Sequence, residues 1–367
     1  MTAVSPHLSS IHSSAGTRRG QSVAFEGVSK IYDDGTPAVE SLDLECPAGQ
    51  ITVFVGPSGC GKTTTLRMIN RTVAPSTGTV SLGGRDIHAM DLTELRRGMG
   101  YVIQDAGLFP HRTIVENIAT VPRLLGTPRR EARRQALELM ERVGLDQHLA
   151  KRYPYQLSGG QRQRVGVARA LAGDPPVLLM DEPFSAVDPV VRAELQEELL
   201  RLQRDIEKTI VFVTHDIDEA VRLGDQIAVF TTGRLAQVGT PAKILTDPAS
   251  DFVDEFVGSD AGVKWSSLLP ARDIEPFTPP EDLDGWQLVI DDEGRCQGWR
   301  PPGAGDHLVD CRRTVRLASD SLRAVFDALL LSPCHLAPVI DDQDRVVGVV
   351  DYASALRALD RQREASR

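Results

Sequence analysis

Apolar residues recur along this chain in three rhythms, and each rhythm predicts an element. Val23 to Ile31 and Ala38 to Cys46 alternate apolar with polar, which predicts paired antiparallel strands. Ile51–Val55, Val177–Asp181 and Thr209–Val213 are nearly continuous apolar runs, which predicts buried strands. Shorter strands are expected over Gly78–Leu82 and Gly100–Gln104, and a hairpin over Ile227–Thr231 and Arg234–Gly239 around Thr232-Gly233. Between them, helical periodicity covers Thr63–Asn70, Leu92–Arg97, Thr113–Leu125, Arg129–Val143, Gly159–Leu171 and Pro189–Ile206, with Pro122 and Pro128 as breakers. Strands alternating with helices predict an α/β fold.

At Val53 to Leu66 this pattern carries chemistry. V-F-V-G-P-S-G-C-G-K-T-T-T-L fits G-x-x-x-x-G-K-[ST] between a strand and a helix. Gly56, Gly59 and Gly61 let backbone N–H groups turn inward around phosphate oxygens, and the helix start adds partial positive charge. Pro57, Ser58, Cys60 and Thr64 complete the loop; Lys62 can reach the β- and γ-phosphates, and the Thr63 hydroxyl can ligate Mg2+. Cys60 reads as a small side chain in a tight turn.

Composition narrows the class. The 367 residues are enough for two domains, and 41% hydrophobic with 25% charged is an ordinary soluble composition. A net charge of -10 gives no support for a nucleic-acid partner. No apolar run approaches the roughly 18 residues that span a bilayer. The N-terminal stretch lacks a basic cluster and an apolar core, so it reads as a Ser/His-rich disordered tail rather than a signal peptide. Five cysteines without C-x-x-C spacing argue against a disulfide framework or zinc site and fit a reducing compartment.

Other candidates follow in chain order. Tyr32, shortly before the loop, can stack on an adenine face or be a half-buried strand-end tyrosine. Gln104, at a strand end, can contact Mg2+ or the attacking water, or be a surface amide. In Leu157-Ser158-Gly159-Gly160-Gln161, Ser158 is a good N-cap, and the N–H groups it opens can hold an anion. Asp181 can hold Mg2+ through water, and Glu182 can deprotonate the attacking water. His215 follows a strand on the side where parallel sheets bind ligands.

The order Tyr32, phosphate loop, Gln104, L-S-G-G-Q, M-D-E, S-A-V-D and His215 resembles the ATP-binding cassette ATPases over roughly Val23 to Gly258. The resemblance implies a P-loop NTPase cassette with a RecA-like core, a helical subdomain and an antiparallel β subdomain. It implies ATP and Mg2+ as ligands, with Thr63, Gln104 and Asp181 on the metal, Tyr32 on adenine, Glu182 as general base and His215 as γ-phosphate switch. It also implies a head-to-tail homodimer, in which Leu157 to Gln161 close on the partner subunit's ATP and Asp188 crosses the interface. Finer runs, L-R-M-I-N-R, G-Y-V-I-Q-D-A-G-L-F-P-H-R-T-I-V-E-N-I-A and V-F-V-T-H-D-I-D-E-A, resemble the ATP-binding subunits of glycine betaine/carnitine/choline importers. That implies docking on transmembrane permease subunits at the cytoplasmic face of the inner membrane, fed by an extracytoplasmic solute-binding protein. Val187 in place of Leu and Asp105 in place of Gln are departures that remove no reacting group. An importer of another small solute, such as an amino acid or polyamine, and a non-transport cassette ATPase are the rival readings.

Domains are expected at 1–21 (tail), 22–258 (cassette) and 259–367. In the last, Val289, Ile290, Asp291, Asp292, Arg295 and Gly298 recur fifty residues on as Val339, Ile340, Asp341, Asp342, Arg345 and Gly348, an internal repeat. Each copy reads as strand, acidic turn, strand. The second, 312–362, has helices expected at Leu322–Leu331 and Ser354–Asp360 and resembles a CBS repeat; the first, with Pro276, Pro279 and Pro280 where its helix should be, reads as a degenerate one. The CBS nucleotide pattern [ST]-x-x-D is broken by Asp351 and Ser354. A regulatory domain is the expectation.

Overall fold

In the computed structural model, residues 19–365 are described, except 105, 186, 280–282, 284, 304 and 306. Most of the expected tail, Asp105, Pro280 and the alanine of S-A-V-D lie outside the described residues. Gly20, which the expected tail includes, is pinned: its N–H donates to the Glu207 carbonyl at 3.1 Å. The chain divides into two compact units, Met1–Pro241 and Ala242–Arg367. The 258/259 boundary expected above thus falls inside the second unit.

The first unit runs β1 (Val23–Ile31), β2 (Pro37–Cys46), β3 (Ile51–Val55), α1 (Lys62–Ile69), β4 (Thr77–Leu82), β5 (Arg85–Asp86), α2 (Leu92–Arg97), β6 (Met99–Val102), α3 (Ile114–Ile118), α4 (Thr120–Leu124), α5 (Arg129–Arg142), α6 (Gly159–Leu171), β7 (Val177–Asp181), α7 (Pro189–Ile206), β8 (Thr209–Val213), α8 (Ile217–Leu223), β9 (Gln226–Thr231) and β10 (Arg234–Gly239). A six-stranded sheet has the order β10-β9-β3-β8-β7-β6. From β9 to β6 its neighbours are parallel, and β10 is an antiparallel edge. Every residue of β3, β7 and β8 is buried, as continuous apolar strands covered on both faces must be.

A second, antiparallel sheet, β2-β1-β4-β5, shares one core with the first through Phe25, Phe54, Phe230 and Leu66. The helices α3, α5 and α6 close a separate core around Ile114, Ala136, Met140 and Val165. Here the break expected at Pro122 within Thr113–Leu125 falls instead at Ala119, between α3 and α4. The proline ring of Pro122 crowds the carbonyl four residues back, at Ile118, where α3 ends. Pro122 itself sits in the first turn of α4, where a missing N–H costs little. The strand expected to reach Gln104 stops at Val102, whose pairing with Met180 is the last of the edge.

The second unit holds α9 (Pro241–Thr246), α10 (Asp251–Val257), α11 (Ala261–Leu268), β11 (Gln287–Ile290), β12 (Cys296–Arg300), α12 (Leu322–Leu331), β13 (Ala337–Ile340), β14 (Val346–Val350) and α13 (Tyr352–Ala365). The fifty-residue repeat is geometric as well as textual. Val289 pairs with Gly298 and Ile290 with Cys296; Val339 pairs with Gly348 and Ile340 with Val346, so both hairpins carry a bulge at the same place. The two hairpins also pair with each other through Arg295 and Arg345. Trp299, Leu336 and Val349 form the small core beneath them.

Candidate active site

Parallel strands present their carboxyl ends to one side, and there the first unit gathers its chemistry. The loop leaving β3 leads into α1, whose N-cap, Gly61, has φ 100 and no side-chain hydrogen bond. The first N–H groups of the helix are therefore left for a ligand. Two loop glycines are required by space as well as by φ. A Cβ on Gly56 would stand 2.2 Å from the Phe230 carbonyl oxygen, and one on Gly61 2.3 Å from that of Ala38. Gly59 has φ +81 but open surroundings. Lys62 is buried, and its Nζ donates to the carbonyls of Gly56 and Pro57, both at 2.7 Å. Its cation is thus held inside the loop by backbone oxygens, with Cys60 Sγ at 3.6 Å. Tyr32 is exposed, and its hydroxyl meets Thr64 Oγ1 at 3.1 Å, so the ring stands at the loop's rim.

Asp181, the last residue of β7, is buried and accepts the Thr63 hydroxyl at 2.9 Å. A hard oxygen pair, one carboxylate and one hydroxyl, therefore faces the start of α1, which is a donor set that suits Mg2+ beside phosphates. The loop fits phosphate by the chemistry of its donors, since the N–H groups opening α1 have no side-chain cap and the buried Lys62 ammonium lies among them. Arg67 lies 3.7 Å from Asp181 Oδ2, and the Tyr101 hydroxyl 3.5 Å from the same oxygen. Burial pushes the Tyr101 hydroxyl above its usual range, so it stays a neutral donor. Neither residue was singled out from the sequence. Arg67 was legible as the residue one helical turn after Thr63; Tyr101 needed the pairing of β6 with β7.

Glu182 follows with φ 44, a left-handed conformation that costs a non-glycine residue about 1–3 kcal/mol. Its N–H donates to the Val213 carbonyl at 3.0 Å, and its own carbonyl accepts the Ser185 hydroxyl at 2.9 Å. These bonds hold the sharp turn that leaves the carboxylate at the sheet's end. There Glu182 Oε2 lies 3.3 Å from His215 Nδ1, so two residues 33 positions apart in sequence form one pair. Behind the pair is a cavity of about 50 Å³, lined among others by Arg192, Thr214 and Glu219. Glu219 is buried, accepts Gln196 Nε2 at 2.9 Å, and has its carboxyl pushed up by burial. Sequence reasoning missed it because no spacing rule links α7 to α8.

Gln104 lies in a turn two residues beyond β6 and is exposed. Ser158 and Gln161 form a capping box: Ser158 Oγ accepts the Gln161 N–H at 3.2 Å and Gln161 Oε1 accepts the Ser158 N–H at 3.0 Å. Of the helix start, the N–H groups of Gly159 and Gly160 remain for an anion. Leu157 is buried, and its carbonyl accepts Arg162 at 2.8 Å. Gly160 has a packing reason as well, since its Cβ would lie 2.5 Å from Val191 at the start of α7. Asp188 caps that helix, accepting the Val191 N–H at 3.1 Å, and is otherwise exposed. The structure thus joins the loop, Tyr32, Thr63, Asp181, Glu182 and His215, and leaves Leu157 to Gln161 bonded within their own helix start.

Comparison with known proteins agrees with this geometry. The family described as ABC transporter matches residues 39–185. The glycine betaine/carnitine/choline transport ATP-binding protein OpuCA of Bacillus subtilis is 53% identical over 364 residues, covering 90% of this chain and 94% of that protein. The osmoprotectant import ATP-binding protein OsmV of Salmonella typhimurium is 43% identical, covering 91% and 97%. Among solved structures, the ATP-binding cassette MJ0796, as a dimer bound to ADP and Pi, is 34% identical with a TM-score of 0.55, covering 60% of this chain and 98% of that one.

Proposed function

The chain belongs to the ABC transporter ATPases, and from that premise we propose that it is the ATP-hydrolysing subunit of an importer of quaternary-ammonium osmoprotectants. The observation that carries hydrolysis is the convergence of the open loop, the Thr63–Asp181 pair and the Glu182–His215 pair on one sheet end. The substrate class rests on similarity: OpuCA matches across 90% of this chain, so the likeness extends through the second unit, whereas the cassette structure covers 60%.

The residues divide the work as follows. The loop's N–H groups and Lys62 bind the β- and γ-phosphates of ATP, with Tyr32 placed for the adenine. Thr63 and Asp181, with Gln104, would hold Mg2+. When bound, that ion supplies charge neutralisation at the phosphate oxygens. Glu182 takes the proton of the attacking water, and His215 at 3.3 Å orients its carboxylate. The Gly159 and Gly160 N–H groups meet the ATP of a partner subunit in a head-to-tail homodimer, with Asp188 at the interface. Among the described residues no helix is long and apolar enough to cross a membrane. On this reading, which rests on the likeness to transport ATP-binding proteins, the subunit works peripherally, at the cytoplasmic face, on separate permease subunits supplied by a solute-binding protein.

Residues 259–367 form a CBS-like regulatory domain on this reading. Truncation after Gly258 should leave basal ATPase activity and flatten the dependence of uptake on salt; unchanged salt curves would remove that role. The function itself is tested by reconstitution with its permease. ATP-dependent uptake of radiolabelled glycine betaine, carnitine or choline is expected. Uptake of an amino acid or polyamine instead would overturn the substrate class.

A further inference from the structure

Two thiols of the second unit meet away from the nucleotide chemistry. Cys296 opens β12, and Cys311 lies two residues past Val309, which exchanges both backbone hydrogen bonds with Trp299 of β12 at 2.8 Å. That bridge lays the two segments side by side. The Sγ atoms of Cys296 and Cys311 stand 2.9 Å apart although 15 positions separate them in sequence. A disulfide spans about 2.05 Å, so closing one needs a further approach of roughly 0.9 Å. Both thiols are only partly buried, so a small oxidant can reach them, whereas Cys46 and Cys60 are buried. The third neighbour, Cys334, packs with Cys311 against the core of Trp299 and Val349. The Cys311 thiol beside it holds Cys296 below the usual thiol range, while hydrogen bonding to Cys296 pushes Cys311 up, so the first is the better thiolate.

We propose that Cys296 and Cys311 are a reversible modification site, a dithiol that a hydroperoxide converts to an intramolecular disulfide. The Cys296 thiolate attacks one peroxide oxygen, the O–O bond breaks, and hydroxide leaves, giving a sulfenic acid. The Cys311 sulfur then attacks the Cys296 sulfur; the S–O bond breaks and water leaves, carrying the Cys311 proton. In sum, two thiols and one hydrogen peroxide give one disulfide and two waters. A dithiol reductant reverses the site by exchange, becoming a disulfide itself. Such a bond is of the transient kind that reducing compartments permit.

The test uses the full-length protein. It is reduced, freed of reductant, exposed to hydrogen peroxide and alkylated with iodoacetamide. One tryptic peptide, residues 296–312, carries both thiols because Arg300 precedes Pro301. The expected product is that peptide lighter by two hydrogens and unalkylated, with Cys334 alkylated, and a dithiol should restore both alkylations. In Cys311→Ser, the same treatment should leave a sulfenic acid at Cys296 that dimedone traps. Two alkylated thiols on the peptide after peroxide, or a cross-link from either to Cys334, would overturn the site. No dimedone adduct in the variant would overturn the peroxide step.

Discussion

Asp181-Glu182 at the end of β7 and the aspartates of the two hairpin turns are alike in sequence: acidic pairs that end an apolar strand. Their surroundings separate them. Asp291 Oδ1 accepts the N–H groups of Glu293 and Arg295 at 3.0 and 2.8 Å, and Asp341 Oδ1 those of Gln343 and Arg345, both at 2.9 Å. These bonds hold both carboxyls below the usual carboxylate range. The hairpin aspartates are thus occupied by their own turns. At the sheet end, Asp181 bonds the Thr63 hydroxyl and Glu182 reaches His215, side chains brought from other elements. A carboxylate taken up by the backbone and side chains of its own hairpin builds structure, and one that faces side chains of other elements at the sheet end is available for chemistry.

The largest effect that comparison predicts is at Glu182. Glu182→Gln keeps the shape of the turn but cannot take a proton, and losing a general base costs about 100- to 10,000-fold in rate. Single-turnover hydrolysis should fall by that much while ATP still binds. A rate above about a tenth of the parent's would mean that another group is the base. Next is Lys62→Ala. Removing the cation that two loop carbonyls now hold should abolish hydrolysis and weaken ATP binding together. Equilibrium binding measured beside turnover checks it, and undiminished affinity would assign Lys62 to the fold alone.

A third prediction sharpens the contrast within the loop. Gly59→Ala meets only an unfavourable φ and should cost about 1–2 kcal/mol of stability. Gly61→Ala meets the same kind of φ and also a backbone oxygen 2.3 Å from its Cβ, so it should cost more. Denaturant melts of the two variants decide it; equal losses would show that the loop moves aside freely.

The elements and the loop were legible because their signals are local. The apolar runs gave β3, β7 and β8 with the bounds observed, and the fifty-residue repeat gave two hairpins of one register. Long-range pairing was not legible. The contact of Glu182 with His215 depends on β7 lying beside β8, and the place of Tyr101 on β6 beside β7, which no periodicity encodes. Pro122 misled by one turn, since its ring acts on the carbonyl four residues earlier. The left-handed Glu182 had no sequence signal, because that conformation is imposed by the bonds to Val213 and Ser185.

The smallest effect lies at Glu219, the buried counterpart of Glu182 across the cavity. Burial is the main cause that raises its carboxyl above the ordinary 4.5, with Asp216 adding to it and Thr214, Gln196 and Arg192 opposing. A carboxyl raised on folding favours the native state while protonated. That contribution is full below 4.5 and is lost as pH rises through the folded value. At neutral pH the native protein therefore carries an ionised group that burial disfavours. Glu219→Gln removes the titration and keeps an oxygen to accept the Gln196 amide. The variant should be slightly more stable than the parent at neutral pH and no more stable below 4.5, flattening this part of the stability curve. Its hydrolysis rate should change far less than that of Glu182→Gln. Melts taken across that pH range check the sign. A variant less stable at neutral pH would show that Arg192 and Gln196 need the charge.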